Sequence, residues 1–116
     1  MSTTITLPWP PSLNAYYRTV RGRILISSEG REYRTRVLGK CLVQRVQPVS
    51  GRLEVFIQAF PPDRRARDLD NLQKGLLDAI THAKVWTDDS DIDDLRIKRE
   101  PVTAGGKVIV NIRSIA

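Results

Sequence analysis

Asp68 and Asp70 stand two residues apart, directly after the stretch Asp63-Arg64-Arg65-Ala66-Arg67 and at the start of a segment with helical periodicity. Lys74 follows one turn later, and a second acidic group gathers Asp88, Asp89, Asp91, Asp93 and Asp94. Hard divalent cations such as Mg²⁺ take oxygen ligands, usually a few carboxylates completed by water and phosphate oxygens. Two Asp at one helix end and a third from a distant loop would supply such a set. A cation held there polarises a scissile phosphate, generates hydroxide and stabilises a leaving 3′-oxygen. Lys74 would orient the phosphate or stabilise charge developing in the transition state.

Each of these residues also has a plainer reading. Asp68 sits where an N-cap belongs and Asp70 lies in the first turn. There both would stabilise a helix start, for about 0.5–2 kcal/mol. Lys74 has Asp70 and Asp78 at i−4 and i+4, so a surface ion pair would account for it. Five Asp in residues 88–94 cannot all ligate one ion, and the spacing does not choose among them.

The charge distribution favours the chemical reading. The chain holds 19 Lys+Arg against 13 Asp+Glu, for a net charge of +6. Residues 18–52 carry nine Arg or Lys with only Glu29 and Glu32; residues 68–94 carry eight Asp with only Lys74 and Lys84. A basic surface binds phosphates and releases counterions, which makes nucleic acid the leading partner class. Basicity alone speaks to non-specific binding rather than to fold.

Other chemistries find no material. The lone Cys41 excludes an intrachain disulfide framework and a multi-Cys zinc site. His82 has no partner for a triad. No run of about 18 apolar residues exists, so no membrane span is expected. The N-terminal residues lack a basic n-region and a long apolar run, so no signal peptide is expected and the chain reads as cytoplasmic.

At 116 residues the chain is expected to form one domain, residues 1–116, with a single core. Residues 3–7 alternate as a first strand, which Pro8, Pro10 and Pro11 stop. Tyr16 to Thr19 and Ile24 to Ile26 flank Arg21-Gly22-Arg23 as a tight hairpin. Ser27 or Ser28 caps a helix to about Val46, with Tyr33, Val37, Cys41, Leu38 and Leu42 at i, i+4 spacing. Residues 52–60 alternate as a strand that Pro61 and Pro62 end. A second helix covers about 69–82, with Leu69, Leu72, Leu76, Ala79 and Ile80 as its buried stripe. Residues 92–99 and 107–113 are expected to pair as a hairpin around Ala104-Gly105-Gly106. This order argues an α+β fold in two layers, a mixed sheet with two main helices on one face.

Several blocks together resemble the RusA family of Holliday-junction resolvases. They are Pro10-Pro11-Ser12 with Asn14 and Tyr16-Tyr17-Arg18; Pro62-Asp63-Arg64-Arg65; Arg67-Asp68-Leu69-Asp70-Asn71-Leu72-Gln73-Lys74; Asp78-Ala79; Trp86 with Asp88-Asp89; and Pro101-Val102-Thr103 with Gly105-Gly106. They run in order over almost the whole chain, and the block from Arg67 to Lys74 is the most specific. The resemblance implies a small homodimeric, Mg²⁺-dependent endodeoxyribonuclease, often prophage-borne, that nicks four-way DNA junctions symmetrically. Mg²⁺ is the expected cation, and whether Mn²⁺ substitutes for it is left open by the sequence. The resemblance implies catalytic carboxylates at Asp68, Asp70 and Asp89 and a catalytic lysine at Lys74. Arg64, Arg65 and Arg67, with Asn14 and Arg18, are then expected to contact DNA. Ala66 interrupts the arginine run and Leu13 replaces a polar residue, which bears on DNA contacts rather than on the chemistry.

Two other functions compete: a less selective nuclease for branched phage DNA, and a non-catalytic DNA-binding module whose acids are only caps. A homodimer is expected because junction resolution needs two nicks related by a two-fold axis, and one such domain has room for one carboxylate cluster.

Overall fold

A computed structural model of the chain describes residues 2–115. The elements are β1 (Ser2–Pro8), α1 (Leu13–Tyr16), β2 (Tyr17–Val20), β3 (Arg23–Ile26), α2 (Ser28–Val43), β4 (Arg52–Phe60), α3 (Asp70–His82), a 3₁₀ turn (Asp89–Asp91), β5 (Ile92–Arg99) and β6 (Lys107–Ile115). The main sheet has the order β1-β6-β4-β5, and β2-β3 forms a separate hairpin. Only β4 and β5 run parallel; the other pairs are antiparallel, so the sheet is mixed.

Period-2 alternation decides which face is buried. Ile5 and Leu7 of β1, Leu53, Val55, Ile57 and Ala59 of β4, and Val108, Val110 and Ile112 of β6 all turn inward. Tyr33, Val37 and Cys41 of α2 and Leu76, Leu77, Ala79 and Ile80 of α3 meet them in one core, so both long helices cover the same face. On the other face Arg96 lies 4.7 Å from the Phe56 ring centre and Lys107 lies 5.0 Å from that of Phe60. These cations shield the aromatic rings that no helix covers.

The expected hairpin of residues 92–99 and 107–113 does not form. β4 lies between them, pairing in parallel with β5 and antiparallel with β6. Composition gives the reason. β5 reads Ile-Asp-Asp-Leu-Arg-Ile-Lys-Arg and suits an exposed edge, where charge blocks further pairing. β6 brings three fully buried residues and takes an interior position. The Gly105-Gly106 turn, with φ of 80° and 68°, redirects the chain into β6 rather than closing a hairpin.

Two further differences concern the helices. α2 ends at Val43, short of Val46, because Arg45 adopts φ 55° and closes a Schellman motif. The Val46 N–H donates to the Cys41 carbonyl at 3.0 Å and the Arg45 N–H to that of Leu42 at 3.2 Å. Leu38 and Leu42 face solvent; only the Tyr33, Val37, Cys41 row is buried. The short α1 was not expected. It turns Tyr16 into the core, and Ser27 holds it there: the Ser27 hydroxyl donates to the Ala15 and Tyr16 carbonyls while accepting from the Gly30 N–H. Among the described residues no helix is long and apolar enough to cross a membrane.

Tyr16 packs only where neighbouring residues lack a side chain. A Cβ on Gly30 would press on the Tyr16 carbonyl and stand 2.8 Å from Ile26 Cγ1. A Cβ on Gly75 would stand 2.8 Å from the Tyr16 ring. Gly39, on the same helix as Gly30, has open space around it. Gly30→Ala should therefore destabilise by about 1–3 kcal/mol through overpacking. Gly39→Ala should stabilise by about 0.5–1 kcal/mol through reduced backbone entropy. Thermal unfolding of the two variants beside the parent checks both signs; equal shifts would contradict the packing argument.

Candidate active site

The start of α3 leaves its two carboxylates untied. Leu69, with helical φ and ψ, occupies the N-cap position, and no side chain caps the helix. The Asn71 N–H instead donates to the Asp68 carbonyl at 3.2 Å and the Leu72 N–H to the Leu69 carbonyl at 3.4 Å. The first turn is thus closed by i→i+3 backbone bonds, so the Asp68 carboxylate is not the cap that its position suggested. Asp70 lies exposed in the first turn, where the helix dipole favours negative charge.

Ion pairing separates the remaining acids. Asp63 takes Arg67 at 2.8 Å and Arg65 at 3.8 Å. Its carboxyl is held below the usual range, first by the Arg65 backbone N–H and then by Arg67. Arg67 also donates to the Asp63 carbonyl at 3.2 Å, and its own carbonyl accepts from Arg99 at 2.7 Å. Arg34 pairs with Asp78 at 2.7 Å, and the Tyr16 hydroxyl also donates to Asp78. Arg52 takes Asp93 at 2.5 Å and reaches Asp91 at 3.9 Å. Asp88 caps the 3₁₀ turn by accepting from the Ser90 N–H at 3.1 Å. Among the described residues, Asp68, Asp70, Asp89 and Lys74 form no ion pair within the salt-bridge distance met by these others. The surface pair that would account for Lys74 is absent with Asp70 and with Asp78 alike, and Asp78 is taken by Arg34. Asp88 in the turn, Asp94 on β5 and Glu29 and Glu32 on α2 also form no ion pair among the described residues.

Asp89 and Asp91 are the half-buried acids of the turn, and of the two Asp89 has no arginine partner. The Asp89 carboxyl is pushed above the usual range, first by burial and then by the adjacent Asp88, while Lys74 pulls it down. Lys74 and Asp78 on α3 thus act electrostatically on Asp89 across the gap from helix to turn. Tyr17 stands in the same field: burial raises its phenol first, then Asp78, with Asp89 adding to it. Among the described residues no three Asp, Glu, His or Cys side chains converge tightly enough to enclose an ion. The donors themselves suit a hard cation, being carboxylates with no competing counter-charge, and such a cation needs only one or two of them when phosphate and water complete its shell.

The expected DNA contacts fall into two groups. Asn14 and Arg18 line one cavity of about 390 Å³ together with Leu13, Tyr17 and Ile24. Arg64 and Arg65 border a groove of about 470 Å³ with Arg99. Arg64 is exposed and unpaired, whereas Arg67 is turned inward and holds the loop. Sequence reasoning missed Arg34, Tyr17 and Trp9. The only signal for Trp9 was its position between Pro8 and Pro10.

Comparison with known proteins identifies the family. Residues 8–113 match the family described as endodeoxyribonuclease RusA. The chain is similar to the crossover junction endodeoxyribonuclease RusA of Shigella sonnei (strain Ss046), 47% identical over 94% of this chain and 92% of that one. It is similar to the protein of that name from Escherichia coli (strain K12), 46% identical over 94% and 92%. A third relative, from Enterobacteria phage 82, is 49% identical over 93% and 91%.

The Tyr16–Asp78–Arg34 network has a measurable consequence. The side chains of Arg34 and Asp78 are only 26% and 28% exposed. Arg34→Ala should cost about 1–3 kcal/mol, because it strands a half-buried carboxylate with one hydroxyl partner. Tyr16→Phe should cost about 1 kcal/mol, since it removes the hydroxyl and keeps the ring. Urea unfolding curves would show the order, and a larger loss for Tyr16→Phe would contradict it.

Proposed function

The chain belongs to the RusA family of endodeoxyribonucleases, and from that premise we propose that it resolves four-way DNA junctions by paired, metal-assisted nicks. The observation that carries the reading is the state of the acids at the start of α3 and in the facing turn. Arginines take Asp63, Asp78, Asp91 and Asp93, whereas among the described residues Asp68, Asp70, Asp89 and Lys74 form no ion pair, and Lys74 and Asp78 of α3 act on the half-buried Asp89.

Asp68, Asp70 and Asp89 are the side chains that would hold Mg²⁺, or Mn²⁺ in its place. That ion, when bound, supplies an activated water and stabilises the leaving 3′-oxygen. The carboxylates do not enclose an ion by themselves, so the phosphate of the substrate completes the site. Lys74, free of Asp78, is available to the non-bridging oxygens of that phosphate, where charge builds up in the transition state. Arg64, Arg65, Arg18 and Asn14 meet the DNA backbone. Arg67 shapes the loop that presents them. The reaction takes place in the cytoplasm of a bacterial or phage-infected cell, where the substrate is.

Asp70→Asn should lower junction nicking by at least about a hundredfold while junction binding persists. Lys74→Ala should lower it by about 10²–10³-fold without loss of folding. Asp93→Asn removes an acid engaged by Arg52 and should leave the rate unchanged. Nicking of a synthetic junction with Mg²⁺, beside a linear duplex of the same sequence, measures all three. Full activity in Asp70→Asn would overturn the site.

Two coordinated nicks call for two sites related by a two-fold axis, which a C₂ homodimer supplies. Light scattering at micromolar concentration should give the mass of a dimer. A monomeric mass together with uncoupled single nicks would refute that part of the proposal.

A further inference from the structure

Between the end of β1 and the start of α3 lies a cavity of about 460 Å³ that the hydrolytic groups do not fill. Buried Pro10 and Leu72 form its apolar side. Trp9 supplies an aromatic surface, and the Arg67 guanidinium stands 5.7 Å from its ring centre. Ser12 and Asn71 line the remainder. Asp68 belongs both to this wall and to the catalytic set, so the cavity adjoins the position of the reacting phosphate.

Arg67 is held by Asp63, but other polar side chains of the cavity are unengaged. Ser12 occupies the N-cap position of α1, yet its hydroxyl makes no cap bond. Among the described residues the side chains of Trp9 and Asn71 have no hydrogen-bond partner. The other tryptophan, Trp86, is buried and donates to Thr81 at 2.6 Å. Among the described residues no buried side-chain polar atom lacks a partner, so the indole N–H of half-buried Trp9 reaches solvent. Trp9 is also fixed in place. Its Cβ and Pro62 Cδ would each lie 3.0 Å from a Cβ on Gly106, and the Pro8 carbonyl accepts from the Tyr33 hydroxyl at 2.7 Å.

An apolar side, an aromatic and cationic wall and a few unused donors and acceptors suit a planar, polar heteroaromatic group. We propose that this cavity takes one unstacked nucleobase of the strand being cut, next to the scissile phosphate. The base stacks on Trp9 and meets Asn71 and Ser12 with its edge. The inference rests on the nuclease reading above and deepens it. Withdrawing a base from continuous duplex sacrifices stacking and pairing, and the loss is least where a base is already unpaired or poorly stacked. A branch point offers such bases and a linear duplex does not, so the cavity ties junction geometry to cleavage.

A mutant cycle between protein and DNA tests this. The phosphate cut in an intact four-way junction is mapped first. Affinity without divalent metal is then measured for junctions lacking one base, by abasic substitution, at each nucleotide flanking that phosphate. The proteins are the parent chain, Trp9→Ala, Trp9→Phe and Asn71→Ala. At one flanking position the abasic junction should bind the parent about tenfold more weakly than the intact one. Trp9→Ala should show a similar loss on intact DNA and no further loss on abasic DNA, whereas Trp9→Phe keeps most of the affinity. Additive losses at both positions would overturn the inference. Should Trp9→Ala fail to fold, Asn71→Ala, altered on an exposed helical turn, carries the same cycle. Nicking of the intact junction by the parent chain reports separately on the activity. Nicking with additive losses refutes the base pocket alone, whereas a parent chain that neither binds nor nicks any junction refutes both.

Discussion

The burial of Tyr16 is the constraint from which the arrangement around the site follows. Its side chain is fully buried between α2 and α3. Its ring lies against Gly75, and its carbonyl accepts from the Ser27 N–H at 2.9 Å close to Gly30. Its hydroxyl meets Asp78, to which Arg34 is also bound. Three segments distant in sequence are thus fastened at one residue: the N-terminal turn, the arginine-rich helix and the helix that carries Asp70 and Lys74. Burial and the Asp78 carboxylate both hold the Tyr16 phenol in its protonated, donating form. The hydrogen bond therefore does not depend on pH in the neutral range.

The same contact sets the electrostatics. With Arg34 drawn to Asp78, Lys74 one turn earlier on α3 is not tied to that carboxylate, and among the described residues it makes no ion pair with Asp70 either. Arg52 performs a similar task on the far side of the acidic run, taking Asp93 and Asp91. Among the described residues the proposed site acids are thus left without an arginine while Asp78, Asp91 and Asp93 beside them have one. A protein with six excess positive charges could have paired every carboxylate. The Asp89 carboxyl is raised first by burial and then by the adjacent Asp88. A bound divalent cation would offset the negative charge of these carboxylates and in turn attract the phosphate.

The arginine loop adds rigidity. Asp63, Arg67 and Arg99 hold it to itself and to the end of β5. Arg64 and Arg65 project from a fixed base rather than from a mobile tail. A preorganised cation loses less conformational freedom when it meets a phosphate. The loop separates two recesses, one beside Trp9 and one beside Arg99. A nucleic-acid strand crossing it would have its phosphates and one of its bases addressed from opposite sides.

Local patterns determined much of this protein by themselves. Alternation marked residues 52–60 as a strand with one buried face, and 3.6-residue periodicity marked α3. The spacing of Asp68, Asp70 and Lys74 put unlike charges at one helix start. Such features depend on near neighbours in sequence, so they survive without knowledge of the fold. The tertiary structure alone decided strand order, because pairing is a competition among all strands for β4, and the charge of β5 sent it to the edge. It alone decided which acids are free. Asp89 and Asp91 look equivalent in the sequence, and only the approach of Arg52 from β4 and Lys74 from α3 tells them apart. The Trp9 cavity was likewise illegible, since its walls come from segments more than fifty residues apart. Side chains so distant in sequence meet only after the core has folded, and no local signal can report a meeting that the fold creates.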